Sequence, residues 1–463
     1  MTLQPAWLAS LEGLLGADRY EIHATRLRDY AVDGLIPSAV VWPDSTEQVA
    51  AVLRWAQRER LAVVPRGSGT KIGLGGMAKR LDIVLSTSRL SQLSDYDVGN
   101  FTITAEAGMM FSQVTQLTAA QRQMLPLQYP HSAATLGGLI AANAYNPKRL
   151  RYGGVRDLLL GLRIALPSGE IAHFGGKVVK NVAGYDMGKL FLGSLGAFGV
   201  IIEATFRLYA LPERDETLLA AFPALRQGAA AVTQLMGTQL LPSQILLINA
   251  MAVRAIAPQD TTQVDAGEAL LLVSCEGMDE AVERQLGDIA RICQGHGASS
   301  VQTLTGEAQL QLRHRLGAVT STPSQPSSRD GQGVSGAGTV VRLGTLPSRV
   351  PAVMEAVAQM LYPTALEAMI IGDCGVGLII LCLEPEGQAT GVMQEPLLRV
   401  LRGLPGLVVA DGGYAVVERA PREMKGQLEV WSPPPSSLAL VKALKGQFDP
   451  EGILSSGRFI GGL

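Results

Sequence analysis

The stretch Val63–Gly76, VVPRGSGTKIGLGG, carries five glycines in fourteen residues, directly after the apolar run Leu61–Val64. A strand that ends in such a turn brings bare backbone close to a partner, and that partner is often a phosphate. Two common phosphate loops do not fit. A dinucleotide-binding βαβ unit needs a third glycine and then a helix. Here Ile72 stands in that glycine's place, and the chain runs through more glycine into another apolar run, Leu81–Ser86. A Walker A loop needs Ser or Thr after its lysine, whereas Lys71 is followed by Ile72. What remains is a cradle that joins strand to strand and works through backbone N–H groups alone.

The flanking sequence supports an α/β layer. Ala39–Trp42 reads as a strand, stopped by Pro43 and Asp44, and STEQVAAVLRWAQRER follows as a helix. Ser45 and Gln48 have capping-box spacing, and Val49, Val52, Leu53 and Ala56 share one face. From 101 to 212 short apolar runs alternate with turns, and Pro167-Ser168-Gly169 reads as a hairpin. Two glycine–alanine segments, ATLGGLIAANAYNP and VAGYDMGKLFLGSLGAFG, are interleaved there and read as short helices or turns on a flat surface. From 213 to about 440 the texture changes to helix-like runs such as DEAVERQLGDIARICQG and strand-like EALLLVSC, TVVRLGTLP, GLIILCLE and GLVVADGG, an α+β pattern. The segment 321–338, STPSQPSSRDGQGVSGAG, has nothing to bury and reads as a disordered insertion.

Length and charge narrow the class. A chain of 463 residues exceeds one ordinary core, so two or three domains are expected. A net charge of -2 gives no electrostatic case for nucleic acid. The four cysteines form no CxxC pair and read as buried free thiols, with no spacing for an iron–sulfur cluster. No apolar run approaches the roughly 20 residues that span a bilayer, and the start lacks a signal-peptide pattern. The expectation is a cytoplasmic protein that can dock peripherally on the inner face of the membrane through partners.

Four ordered segments carry a resemblance: PRGSGTKIGLGG (65–76), ATLGGLIAANAYNPKRLRYGGVRDLLLGLR (134–163), GGKVVKNVAGYDMGKLFLGSLGAFGVIIEATFRL (175–208) and FDPEGILSSGRF (448–459). Together they resemble the FAD-binding (PCMH-type) fold of vanillyl-alcohol oxidase and p-cresol methylhydroxylase. The third segment and the tail are most similar to the shorter of the FAD-binding subunits of bacterial glycolate oxidase (glycolate dehydrogenase), a relative of its catalytic flavin subunit. The resemblance implies an α+β protein: an N-terminal helical segment (1–32), an FAD domain of two α/β subdomains (33–212), a cap (213–440), and a tail (441–463) that returns to the FAD domain.

By that resemblance Pro65 leads into the loop, and Arg66, Gly67, Ser68, Gly69, Thr70 and Lys71 wrap the FAD diphosphate. Thr135, Leu136, Gly137, Gly138 and Asn143 line the diphosphate and ribityl region. Tyr152, Gly153, Arg156 and Asp157 continue that wall, and Gly199, Val200 and Ile201 pass the adenine. The equivalent of the histidine that bonds flavin in some members is absent from Gly67–Lys71, so the FAD is expected to be non-covalent, and His131 is not expected to bond it. No metal site is expected: of the five histidines only His296 and His314 lie in the cap, without ligand spacing. Catalytic 2-hydroxy-acid members use a histidine pair, a metal and arginines in the cap.

Lys180 is the candidate for stabilising the reduced, anionic flavin; a loop-fixing salt bridge to Asp186 is the competing role. Arg458 is a candidate for the flavin or a carboxylate; a surface charge is its alternative. The activity implied is a share in oxidising glycolate or D-lactate to the 2-oxo acid, as an FAD-carrying component of a glycolate oxidase complex. Its implied partners are a catalytic flavin subunit and an iron–sulfur subunit. A free-standing FAD-dependent 2-hydroxy-acid dehydrogenase or oxidase is the alternative, and a non-redox assembly partner the third.

Overall fold

A computed structural model describes residues 7–129, 132–176, 185–256, 269–320, 338–362, 364–385, 394–434 and 436–463. The N-terminal layer is a four-stranded sheet, in the order Tyr20–Glu21, Ala39–Val41, Ile83–Ser86, Val63–Arg66. Its last three strands are parallel, which requires a crossover, and helix Thr46–Arg58 provides one. That helix forms because Val49, Val52, Leu53 and Ala56 bury completely along one face and because Ser45 caps Gln48 N at 3.2 Å. The reciprocal bond of the expected capping box is displaced by one residue. Gln48 Oε1 accepts from the N–H of Asp44, not of Ser45.

The second layer is a five-stranded antiparallel sheet, ordered Leu93–Asp97, Thr102–Glu106, Val200–Arg207, Leu159–Ala165, Ile171–Gly175. The hairpin expected at 167–169 joins its last two strands, and Gly169 supplies the positive φ of 77° that its turn needs. Ala165, Val200 and Ile202 of this sheet share a core with Val41, Val63 and Leu85 of the first. Ile453 and Leu454 from the tail complete that core. Ser455 N donates to Val63 O at 2.9 Å, so the tail lies beside the strand that launches the glycine loop.

The glycine–alanine segment at 134–144 forms the short helix Leu136–Ala141. Its small residues do permit tight packing, since a Cβ on Gly137 would stand 2.8 Å from the Ala107 Cβ.

Residues beyond 213 build an antiparallel sheet with nine strands among the described residues. One face is covered by helices Leu225–Met236, Asp279–Gly295, Val350–Leu361 and Gln394–Gly403. The other face packs partly on Ala250–Ile256 and Gly306–Thr320. Past those helices the same face turns toward the two N-terminal layers, where Val416 meets Leu74, Ala142 and Leu195. One expected strand is corrected: GLVVADGG forms two 3-10 turns, Leu404–Leu407 and Val409–Asp411. Pro405 opens the first, where its fixed φ suits a turn and its missing N–H would leave a gap in a strand ladder. The four cysteines are buried free thiols. Among the described residues no helix is long and apolar enough to cross a membrane. The insertion at 321–338 lies, but for Gly338, outside the described residues.

Candidate functional site

The glycine loop stands over a cleft between the two FAD-side layers, with about 770 Å³ of space counting its open mouth. Its floor is the loop itself, Pro65–Ile72. Thr135 with the start of helix Leu136–Ala141 forms one wall, and Leu195, Gly196 and Gly199–Ile201 form the other.

The loop's two hydrogen-bonding edges are used differently. On the carbonyl edge, Arg458 donates to Ile72 O and, at 2.9 Å, to Leu74 O. Lys425 Nζ donates to Gly73 O at 2.8 Å and pairs with Asp33 at 2.8 Å. Both cations are buried, and burial lowers both pKa values. On the amide edge, the N–H groups of Gly67, Ser68, Gly69, Thr70 and Lys71 meet no acceptor among the described residues. These residues are half-buried and line the open cleft, so their amides are available to an anion. Five successive amides lining a cleft, with their carbonyl neighbours tied back, form an anion cradle. Close approach is also required: a Cβ on Gly67 would collide with Thr135 Oγ1, and Gly69 has φ +85°.

The structure brings most of the expected residues together. Pro65, Arg66, Gly67, Ser68, Gly69, Thr70, Lys71, Thr135, Gly137, Gly138, Gly199, Val200 and Ile201 all line the cleft. Arg66 turns its guanidinium outward, donating to Asp29 O at 2.9 Å and covering the Tyr30 ring at 4.6 Å.

Six expected residues lie outside the cleft lining. Leu136 is fully buried behind the cleft in the second-layer core. Asn143 is exposed beyond the helix end, with φ +44°. Tyr152, Gly153, Arg156 and Asp157 are not in the cleft lining either, and Tyr152 lies near the cap carboxylates of Glu276 and Asp215. Tyr152 meets Tyr209 edge-on at 5.0 Å, and the Asp157 carboxylate accepts from Gly154 N at 2.8 Å. The cause is Asn146, whose side-chain amide donates to Pro126 O and Gly153 O and folds this segment back. Lys148 can then pair with Glu276 at 2.7 Å and Asp215 at 3.3 Å in the cap.

Arg458 lines the cleft beside the loop. It is 2% exposed, so not a surface charge, and its hydrogen bonds go to loop carbonyls. It holds the cradle's shape. Lys180 and His131 lie outside the described residues. Asp186, the partner considered for Lys180, stands 3.6 Å from Lys189.

Sequence reasoning missed the roof. Lys71 Nζ bonds Glu418 Oε2 at 2.7 Å, and Arg342 NH1 approaches Glu418 Oε1 at 3.2 Å. Glu418 lies on strand Tyr414–Arg419 and Arg342 on the adjacent Thr339–Gly344, both in the cap sheet. Burial alone would raise the Glu418 pKa, but Lys71 and Arg342 pull it down to about 2. Burial opposes the charge on Lys71 as well, yet Glu418 prevails and raises its pKa. Tyr129 lines the cleft close to this group. No motif marks Glu418 or Arg342, because each sits in an ordinary strand.

Two family models match the chain: an FAD binding domain over residues 37–175, and the C-terminal domain of FAD linked oxidases over 211–383. The chain is an FAD-dependent oxidoreductase that carries both of these domains. Its fold is that of the vanillyl-alcohol oxidase and p-cresol methylhydroxylase type, as expected. It superimposes on p-cresol methylhydroxylase with substrate bound at TM-score 0.76, with 16% identity over 97% of this chain and 95% of that one. It superimposes on 4-ethylphenol oxidase from Gulosibacter chungangensis at TM-score 0.74, with 15% identity over 98% and 97%.

In sequence it is 27% identical to glycolate oxidase subunit GlcD of Bacillus subtilis, over 91% of this chain and 89% of that protein. It is 28% identical to D-lactate dehydrogenase of Archaeoglobus fulgidus, over 91% of each. FAD is the cofactor. The cradle suits its diphosphate, since free amides and absent Cβ atoms are what a phosphate needs from backbone. Among the described residues, no histidine or cysteine lines the cleft.

Proposed function

We propose that this flavoprotein oxidises a small 2-hydroxy acid, glycolate or D-lactate, to the 2-oxo acid. Bound FAD supplies a two-electron acceptor, so the substrate C–H leaves as hydride and the O–H as a proton. The chain's own residues hold and enclose that acceptor. Amides of Gly67–Lys71 carry the diphosphate, and Arg458 and Lys425 fix the loop from behind. The observation that carries this reading is an amide cradle whose cleft-lining Lys71 is linked through Glu418 to a cap-borne cation, Arg342. A 2-hydroxy acid differs from the phenols named for the structural neighbours in bringing its own carboxylate, and a cation is what such a group requires.

Matches over about nine-tenths of both chains support a free-standing enzyme, because one of those relatives is named as a dehydrogenase in its own right. A second reading, an electron-relaying component beside catalytic flavin and iron–sulfur subunits, draws on the other, which is named as a subunit. It also draws on Glu418, which already occupies Arg342. The intact cradle weighs against a non-redox assembly partner. The deciding experiment is anaerobic titration of the purified, FAD-loaded chain with glycolate and with D-lactate. Bleaching of the flavin band by the chain alone supports the free-standing enzyme. Bleaching only after partner subunits are added supports the relay. No bleaching in either case would defeat the 2-hydroxy-acid reading.

A further inference from the structure

The ion group at the cleft's edge joins the cradle to the cap. Lys71 belongs to the cradle, while Glu418 and Arg342 belong to the cap. The Glu418 carboxylate is 9% exposed and bridges both cations, one on each oxygen. Its neighbours Arg342 and Lys71 are 15% and 19% exposed. The group is not saturated, because Arg342 Nε is buried with no partner among the described residues. Two cations with a spare donor, held in fixed positions beside a flavin cleft, make a carboxylate site, and a glutamate from the chain itself is in it.

We propose that Glu418 is an internal counter-ion that holds the carboxylate site of the cleft, so that a small anionic substrate or product reaches Lys71 and Arg342 only by displacing it. The inference rests on the reading that this cleft receives a 2-hydroxy acid. The physical argument is one of competition. A tethered carboxylate is present at high effective concentration and loses little entropy on pairing. An incoming monoanion must match two charge-assisted bonds already made, and it must also leave Glu418 solvated elsewhere. Glu418 thus sets a threshold. Weak monocarboxylates are turned away, and a ligand that also contacts the flavin end gains what is needed to enter. Because Glu418 stays ionised well below neutral pH, the threshold is constant across the working range.

The test uses the FAD-loaded full chain and oxalate, a dicarboxylate with no C–H to lose. Oxalate affinity is measured by calorimetry and by the shift of the visible flavin band, for the wild type, Glu418→Gln and Glu418→Asp. Glu418→Gln is expected to bind oxalate at least roughly tenfold tighter, since a like charge within contact distance has been removed. Glu418→Asp keeps the charge but withdraws it by one methylene, and is expected to gain less in the same direction. Adding Arg342→Met to Glu418→Gln is expected to abolish the gain. If Glu418 is only a bolt between loop and cap, both variants lose thermal stability with no gain in oxalate affinity, and the proposal is overturned. Should Glu418→Gln shed its FAD, Glu418→Asp decides alone.

The two readings fail separately. Tight oxalate binding in a protein whose flavin neither glycolate nor D-lactate reduces keeps the carboxylate site and removes the substrate. Flavin reduction by glycolate with no gain in Glu418→Gln keeps the substrate and removes the counter-ion.

Discussion

Replacing Arg458 by methionine tests whether this buried arginine acts on the loop or on the chemistry. In the structure its guanidinium donates to Ile72 O and Leu74 O and lies near Asp33, with Nε unpartnered among the described residues. Methionine fills similar volume but leaves two carbonyls without donors. Each charge-assisted bond contributes about 1.5–3 kcal/mol. Part of the loss is offset, because a buried charge no longer has to be desolvated, and the net cost expected is about 3 kcal/mol. At roughly 2–4 °C per kcal/mol for a unit of this size, the melting temperature should fall by about 6–12 °C. FAD affinity should fall with it, because freed carbonyls let the loop turn and the amides of Gly67–Lys71 lose their common direction. Differential scanning calorimetry and FAD titration of the apoprotein read both effects. At saturating FAD, the rate of flavin reduction by dithionite should match the wild type. The reasoning is refuted if Arg458→Met melts within about 2 °C of the wild type, binds FAD equally well, and yet is slowed specifically in reduction by the hydroxy acid. That pattern would place Arg458 at the reacting centre.

Gly67→Ala drives a methyl group into Thr135 Oγ1, which caps Gly138 N at 3.3 Å. The cap alone is worth about 1 kcal/mol, and fluorescence titration should show FAD affinity falling by tenfold or more, with the cap sheet unchanged by circular dichroism. Lys148→Met strips the partner from buried Glu276, a change that typically costs about 3–5 kcal/mol; limited proteolysis should then cut first at the cap joint. Burial pushes the Asp373 carboxyl, which accepts from Tyr145 Oη at 2.7 Å, up to about 7. A raised acid pKa in the fold means the unfolded chain ionises first, so stability falls as pH rises from about 4 to about 7 and is flat above; denaturant melts of Asp373→Asn should lose that slope. Glu418 has the opposite sign, since its folded pKa is held near about 2. Its contribution is complete above about 4.5 and is lost as pH falls toward 2, so Glu418→Gln should flatten the acid limb of the same profile.

Much of this protein is local in origin, and that part was legible. A strand followed by Gly67 and Gly69 specifies a backbone cradle, because only residues without Cβ allow the approach to Thr135 and the positive φ at Gly69. The apolar spacing of helix Thr46–Arg58 and the hairpin at Gly169 are equally local, since 3.6-residue and two-residue periods are written in neighbouring residues. The family resemblance added the α+β class and FAD on the same short segments.

Other features depend on residues far apart in the chain. Arg458 reads as a charge near an apolar end until the tail folds beside Val63 and buries it under the loop. Tyr152–Asp157 reads as more cofactor wall until Asn146 folds the segment toward the cap. Glu418 and Arg342 carry no signature at all, because their meaning comes from Lys71, far earlier in the chain. The sequence by itself determined the cradle and the layers that flank it, through steric rules that act within a few residues, while the cofactor class came with the family resemblance. Only the tertiary structure decided which charges meet at the cleft, because a buried ion pair depends on distance and solvent exclusion, and neither exists until the cap sheet closes over the loop.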